Sequence, residues 1–178
     1  ACDAVKRAWR MANSNIADLW KKADEAVVKA MNSPARVKIG EFVSMYRAGA
    51  YLVVQLPSGR KLCYPAPRLD EDGTCTFSYM GVEQFTRKWK RIKTYGGKVV
   101  ENITQAVAAD VLAEGLINLE AAGYETVLTI HDEVLAETPN TADYNVKEMM
   151  RLMTELPDWT KGLPLAAAGF EDVRYRKD

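Results

Sequence analysis

Apolar residues recur at spacings of three and four from residue 2 to residue 31, which is the pattern of helices with one buried face. Asn13-Ser14-Asn15 interrupts this pattern, so we predict two helices, with Ser14 or Asn15 capping the second. Asn32-Ser33-Pro34 ends the helical stretch, because a proline disfavours helical backbone at the residue before it.

The pattern changes to short β-rich runs between residues 37 and 79. Residues 51–56 and 61–64 flank Pro57-Ser58-Gly59, a turn sequence, and this arrangement predicts a β-hairpin. A further run at residues 74–80 completes what we predict to be a small antiparallel sheet.

A long helix is predicted over residues 99–122, where Val, Ile and Leu side chains form one apolar stripe and Gly123 is suited to end it. The remaining pattern predicts two strands over residues 126–130 and 134–138, a helix over residues 141–156 and a last strand near residues 173–175. Together the elements predict an α+β fold in three parts: N-terminal helices (1–35), a small antiparallel β insert (36–85), and a final helix, β-hairpin and helix (86–178).

Composition narrows the class of protein only slightly. Lys plus Arg and Asp plus Glu both total 24 in 178 residues, so net charge identifies no partner. No apolar run reaches the roughly 20 residues of a membrane-spanning helix, so no membrane is expected. Cys2, Cys63 and Cys75 form no C-x-x-C pair, and we expect free thiols in a reducing cytosol.

Positive charge is concentrated in residues 86–98, where five of the seven residues from 87 to 93 are basic. A charge run is most often a solvated face. However, Trp89 and Tyr95 lie among these cations and a flexible Gly96-Gly97 follows, which is also the composition of a phosphate-binding surface. On these residues alone both interpretations stay open.

The only histidine of the chain lies beside two acids, His131-Asp132-Glu133, between the two predicted strands. A lone His, or an Asp at a turn, is usually structural. Two adjacent carboxylates in a tight turn between apolar strands cost free energy unless a cation or a donor lies nearby. Mg²⁺ is typically held by one or two carboxylates together with substrate phosphates. The combination therefore predicts a magnesium site.

This turn belongs to a longer motif at residues 95–137, YGGKVVENITQAVAADVLAEGLINLEAAGYETVLTIHDEVLAE, in which an N-x-x-Q helix precedes the acidic turn. The block closely resembles the last catalytic motif of the family A DNA polymerases, most of all their bacteriophage branch. The resemblance is collinear over nearly the whole chain. Residues 5–20 resemble the helix after the nucleotide-binding helix, residues 56–69 resemble a hairpin insert, and residues 80–98 lead into the block.

The resemblance implies a role for each residue of the acidic turn. Asp132 would be a ligand of the catalytic Mg²⁺ ions, Glu133 a supporting acid of the same metal site, and His131 a neighbour of the primer 3′ end. The implied reaction is template-directed, Mg²⁺-dependent nucleotidyl transfer from a deoxynucleoside triphosphate to a primer 3′-hydroxyl.

The resemblance also implies a DNA-binding surface. Gln105 and Asn102, three residues apart on one helix face, would lie along the primer–template minor groove, whose acceptors are common to all base pairs. Cations expected at the phosphates of the duplex are Lys98, Arg87, Lys88, Lys90 and Arg91.

The sequence lacks two other motifs of the family, a D-Y-S-x-x-E segment and an R-x₃-K-x₇-Y-G segment, which in family order would precede Ala1. The resemblance therefore implies a C-terminal portion with a fingers-like segment (1–35), an insert (36–85) and part of the palm (86–178). We expect this portion to be inactive alone and to need the missing N-terminal portion or a complementing chain.

A half-palm would expose apolar surface, so self-association is expected. The resemblance also implies a phage- or prophage-encoded protein acting in the bacterial host cytosol. The alternatives are a non-catalytic module that binds duplex nucleic acid and an inactive prophage remnant.

Overall fold

The computed structural model describes residues 2–71, 73 and 76–176. Its helices are α1 (Cys2–Ala12), α2 (Ser14–Asn32), α3 (Gly96–Ala121) and α4 (Val146–Met153), with a short 3-10 helix at Asp158–Thr160. Its strands are β1 (Val37–Ile39), β2 (Val43–Ala48), β3 (Tyr51–Gln55), β4 (Lys61–Pro65), β5 (Arg68–Leu69), β6 (Phe77–Val82), β7 (Trp89–Thr94), β8 (Glu125–Ile130) and β9 (Glu133–Glu137). The predicted α+β class is confirmed.

The chain divides into two compact units, Ala1–Val107 and Ala108–Asp178, and α3 contributes residues to both. The three-part division at residues 35 and 85 stays a prediction. Strands β6 and β7 pair with each other across residue 85. No helix in the described part of the chain has the length and apolar character needed to cross a bilayer.

The break between α1 and α2 is confirmed, but the predicted cap is wrong. The residue at the start of α2 is Asn13, whose side chain makes no capping hydrogen bond. Its amide instead donates to the carbonyl oxygen of Trp9 at 2.9 Å, so it fastens the end of α1. The Trp9 and Trp20 rings stack across the break, with centroids 5.6 Å apart.

Unit 1 contains two antiparallel sheets, β1-β2-β3-β4 and β5-β6-β7. The hairpin predicted around Pro57-Ser58-Gly59 is confirmed by the pairing of Gln55 with Lys61. Small side chains of α2 pack against the first sheet, and Ala23, Ala26 and Ala30 are all buried in the same core as Met45 and Leu52.

The second sheet contains the basic segment as a strand. In β7, Thr94 is buried beside the core, while the alternate positions Trp89 and Lys93 are exposed. The third predicted strand, residues 74–80, is shifted, because β6 begins at Phe77 and continues to Val82. Residues 74 and 75 lie outside the described residues. Of the cysteines, Cys2 and Cys63 are free and exposed, and Cys75 is also outside that part of the chain.

The Gly96-Gly97 pair is not a flexible linker, because it begins α3. Gly96 is buried, and its amide donates to Oδ1 of Asp24 at 2.5 Å. The hydroxyl of Thr76 donates to the same oxygen. A Cβ atom at position 96 would overlap the carbonyl oxygen of Trp20 and lie 2.8 Å from the backbone nitrogen of Asp24. Only glycine allows this close approach of α3 to α2.

In unit 2 the predicted end of α3 is confirmed, since Gly123 has a φ of 84° and follows the last helical turn. Strands β8 and β9 form the predicted hairpin. Its inner side rests on a small core, in which Val134 and Ala136 pack against the buried Leu119, Tyr124 and Leu152.

The helix predicted over residues 141–156 is too long. Residues 141–145 form a turn, and α4 begins at Val146 because the Asn145 side chain accepts from the Glu148 amide at 3.0 Å. Thr154 ends the helix. The strand predicted near residues 173–175 is also wrong. That segment is irregular, and its Arg176 pairs with Asp172 at 2.6 Å instead of with a strand partner.

Candidate functional site: the acidic hairpin turn and the basic surfaces

The acidic turn is a two-residue connection. Ile130 pairs with Glu133, which leaves His131 and Asp132 as the central residues. His131 has a φ of 57°, in the left-handed region that favours glycine, whereas Asp132 does not have a positive φ. A histidine held there costs on the order of 1–2 kcal/mol. Backbone strain of this kind often marks functional turns.

All three side chains of the turn face solvent. His131, Asp132 and Glu133 are exposed, and none has a hydrogen-bond or ion-pair partner among the described residues. No arginine or lysine neutralises either carboxylate within that part of the chain. The acids are therefore available to a ligand.

These residues fit only part of a magnesium site. Carboxylate oxygens are the ligands that Mg²⁺ prefers, and two of them with substrate phosphates are a usual set. Within residues 2–71, 73 and 76–176, no three His, Cys, Asp or Glu side chains converge closely enough to hold an ion. Asp132 and Glu133 would need additional ligands from a substrate or another chain.

Hydrogen bonds distinguish the two polar residues on α3. Asn102 is half-buried, and its amide donates to the Tyr64 hydroxyl at 3.0 Å. Burial raises the pKa of Tyr64, which keeps this hydroxyl neutral. Gln105 is exposed and makes a longer bond, 3.3 Å, to Oε1 of Glu101. Gln105 is thus the freer of the two for a ligand.

Lys98 also lies at the start of α3. Its ammonium contacts both oxygens of Glu101, at 2.9 and 2.8 Å, and this hydrogen bond raises the pKa of Lys98. Both side chains are about half exposed, so the pair contributes little to stability and can open for a phosphate.

The predicted basic surface divides into bound and free cations. Arg91 donates to the carbonyl oxygen of Ala66 at 3.1 Å and to the Ser78 hydroxyl at 3.3 Å, so it fastens the sheet. Lys90 lies 3.6 Å from Glu83. The side chains of Arg87 and Lys88, in the β6–β7 turn, have no hydrogen-bond or ion-pair partner in the described part of the chain.

The sequence did not single out one exposed residue of the same turn, Phe85, which is 88% exposed. A single phenylalanine within Glu83-Gln84-Phe85-Thr86 has no periodic pattern, so nothing in the sequence distinguishes it from a core residue. Only the hairpin geometry places it at a tip.

No protein-family model matches the sequence, and no solved structure matches it. The chain is similar to a protein named DNA polymerase from Bacillus phage SP02. The two are 41% identical over 175 residues, which cover 97% of this chain and 27% of that relative. The chain thus spans about a quarter of the relative's length, and the similarity is consistent with a fragment of a DNA polymerase.

Proposed function

We propose that the chain is the C-terminal catalytic portion of a template-directed DNA polymerase of the bacteriophage family A type. Its reaction is nucleotidyl transfer from a deoxynucleoside triphosphate to a primer 3′-hydroxyl, in the cytosol of a bacterial host. The single observation that carries this proposal is the similarity over nearly the whole chain to a phage protein named DNA polymerase.

In this proposal the acidic turn supplies metal ligands. Asp132 and Glu133 would hold Mg²⁺ through exposed carboxylates that no arginine or lysine among the described residues occupies. When bound, Mg²⁺ supplies activation of the primer hydroxyl and neutralisation of the triphosphate. His131, at the first position of the turn, lies beside the primer 3′ end. The strained turn keeps these side chains outside the hairpin, where a substrate can reach them.

The remaining residues bind DNA. Gln105 lies along the minor groove of the primer–template, where a donor meets acceptors shared by every base pair. Asn102 supports that helix face through its bond to Tyr64. Lys98, Arg87 and Lys88 contact phosphates, and Lys90 and Arg91 join them by exchanging internal partners for DNA.

The chain alone is proposed to be inactive. Two Mg²⁺ ions would need more oxygen ligands than one adjacent pair of carboxylates from a single turn can supply. The sequence contains no D-Y-S-x-x-E segment and no R-x₃-K-x₇-Y-G segment. In this proposal an N-terminal polymerase portion or a complementing chain provides both.

Primer extension tests the proposal. We expect no extension by the chain alone and clear extension after the missing portion of a related polymerase is added. Asp132→Asn should abolish the restored activity, because it keeps the side-chain shape but removes the anionic oxygen. Glu137→Gln is the matched control, since Glu137 is an exposed acid at the opposite end of the same hairpin. Equal activity of the two variants would refute a metal role for the turn.

A second candidate is a non-catalytic module that binds duplex nucleic acid. It is favoured by the free cations Arg87 and Lys88 in a chain whose described residues form no complete metal site. Asp132→Ala should leave duplex binding unchanged under both hypotheses, while only a polymerase would lose extension. Failure of extension with intact duplex binding would select the module, and failure of both would select an inactive remnant.

A further inference from the structure

The turn between β6 and β7 exposes three large apolar side chains together. Val82 is 55% exposed, Phe85 88% and Trp89 60%. We call these residues, with Arg87 and Lys88, the aromatic tip. These side chains place exposed apolar surface at one hairpin end, and such surface can mark an interaction site.

Strand pairing places Val82 and Trp89 on the outer face of the sheet. The two residues are direct cross-strand partners. The opposite face of the same strands carries Phe77 and Tyr79, which pack in the core of unit 1. Side chains alternate along a strand, so Val82 and Trp89 point away from that core.

Hydrogen bonds hold the turn in shape. The Glu83 amide donates to the Lys88 carbonyl oxygen and the Arg87 amide to the Glu83 carbonyl oxygen, both at 2.9 Å. The Glu83 carboxylate accepts from the Thr86 amide at 2.9 Å and from its hydroxyl at 2.6 Å. These bonds close the loop that carries Phe85, and Trp89 lies next to it at the start of β7.

Charge at the tip is positive. Glu83 is the only acid between residues 82 and 91, and it is occupied by Thr86 and by Lys90 at 3.6 Å. Arg87 and Lys88 keep their side chains free within the described residues. Aromatic rings beside free cations suit a ligand that carries both flat rings and negative charge.

We propose that the aromatic tip binds an unpaired nucleic-acid strand, whose bases stack on Phe85 and Trp89 and whose phosphates contact Arg87 and Lys88. Each base has a ring face that an aromatic side chain can stack on, and this binding tolerates any sequence. In a duplex those faces are covered by neighbouring base pairs. The inference shares Arg87 and Lys88 with the proposed phosphate contacts, but it adds a single-strand ligand and base stacking and needs neither Asp132 nor a metal ion.

The test is a binding titration of a short, mixed-sequence, fluorescein-labelled DNA strand with the whole chain, followed by anisotropy in EDTA. EDTA removes any metal-dependent binding. Single-strand binding measured in this way can therefore be interpreted even if the polymerase proposal fails. Phe85→Ala combined with Trp89→Ala should weaken single-strand binding about tenfold or more, since stacking contributes roughly 1–3 kcal/mol per base. Phe42→Ala is the matched control, because Phe42 is 61% exposed in another hairpin turn, beside Glu41.

Further measurements distinguish base stacking from binding by charge alone or by apolar contact alone. An abasic strand of equal length should bind more weakly and ignore the aromatic substitutions. Phe85→Leu combined with Trp89→Leu should weaken binding as the alanine substitutions do, because leucine is apolar but has no ring for a base to stack on. Arg87→Ala with Lys88→Ala should reduce the slope of log affinity against log salt by about 0.7 for each cation removed.

Several results would overturn the proposal. One is the absence of measurable single-strand binding, and another is equal affinity of the wild-type chain and the double alanine variant. The others are equal affinity of the wild-type chain for abasic and intact strands, and wild-type affinity in the double leucine variant. Displacement of the DNA strand by anionic phospholipid vesicles would identify a membrane surface as the ligand instead. Circular dichroism checks that each variant keeps the wild-type fold.

Discussion

At the scale of single residues, the two adjacent glycines at the start of α3 have different roles. A methyl group on Gly96 would overlap the backbone of α2, at Trp20 and Asp24, which cannot move without disturbing the core. A methyl group on Gly97 would meet the ring of Tyr95, which is 56% exposed and can rotate away.

We therefore predict that Gly96→Ala destabilises unit 1 by about 3 kcal/mol. Forced overpacking costs about 1–3 kcal/mol, occasionally more, and the added methyl group would also disturb the hydrogen bond from the Gly96 amide to Asp24. Gly97→Ala should be neutral or stabilising by up to about 1 kcal/mol, since alanine is the better helix former. Urea denaturation of the wild-type chain and the two variants measures the differences in free energy of unfolding. Similar midpoints for both variants would contradict the close packing of α3 on α2.

Glu83 gives a prediction of pH dependence. The hydroxyl of Thr86, with its amide as a second donor, lowers the pKa of Glu83 to about 2. A carboxyl whose pKa is lower in the folded chain stabilises the fold above its ordinary pKa. That stabilisation is lost as the pH falls from the ordinary pKa of a glutamate to the pKa in the folded chain, about 2. The β6–β7 turn should therefore stay closed at mildly acidic pH.

The measurement is an NMR titration of the Thr86 amide, whose shift should change with a midpoint near 2. Thr86→Val removes the hydroxyl donor, so the pKa of Glu83 should rise toward its ordinary value. Thr104→Val is the control, because the Thr104 hydroxyl donates to the Val100 carbonyl oxygen within α3, away from Glu83 in the sequence. An unchanged midpoint in Thr86→Val would refute the assigned cause.

At the scale of elements, the start of α4 depends on one side chain. Asn145 accepts from the Glu148 amide through its side chain. Its backbone is held by the buried Tyr124, whose hydroxyl donates to the Asn145 carbonyl oxygen at 3.1 Å and accepts from its amide at 3.2 Å. Asn145 therefore determines where α4 begins and also joins the start of α4 to Tyr124.

Asn145→Ala should destabilise α4 by about 1 kcal/mol, the usual cost of losing such a cap, and Asn145→Asp should retain most of the stability. Amide hydrogen exchange over residues 146–153 measures this locally, with an expected acceleration of about fivefold. Asn140→Ala is the control, because Asn140 is exposed in the preceding loop. Equal exchange in both alanine variants would show that the cap does not hold the helix.

Elements with a strong local pattern could be predicted from the sequence. The apolar stripe of α3, the Pro57-Ser58-Gly59 hairpin and the hairpin around His131-Asp132 all appear at the expected places. Strand β7 could not be predicted, because charged residues occupy its solvent side and hide the alternation. The start of α4 was misplaced since Asn145 competes for the backbone amides at a point that periodicity does not mark.

The candidate site was only partly predictable for a similar reason. The sequence places His131, Asp132 and Glu133 in one turn, and this was sufficient to suggest a cation site. It could not reveal that Asn102 is bonded to Tyr64 or that Arg91 is bonded to Ala66 and Ser78, since these contacts are distant in sequence. Which cations are free depends on tertiary packing, so Arg87 and Lys88 became distinct only in the structure.

At the scale of the whole molecule, the hairpin of unit 2 presents a surface through which two copies of the chain can associate. Strands β8 and β9 form a two-stranded sheet, so each has an edge with unpaired backbone groups. On the face opposite the small core, Leu128 pairs with Leu135. Leu128 is 45% exposed and the bulged Val127 is 52% exposed.

We expect the chain to self-associate as its concentration rises, because a second copy can cover this face or extend this sheet. Leu128→Thr with Leu135→Thr should favour the monomer, since threonine keeps strand propensity and removes apolar surface. Val173→Thr is the control, because Val173 is 100% exposed outside any strand. Sedimentation velocity at several concentrations measures the change. The prediction is contradicted if the chain is a monomer at every concentration, or if the double threonine variant associates as strongly as Val173→Thr. Either result would show that this face needs no partner. An added polymerase portion would then have to restore extension without covering the hairpin.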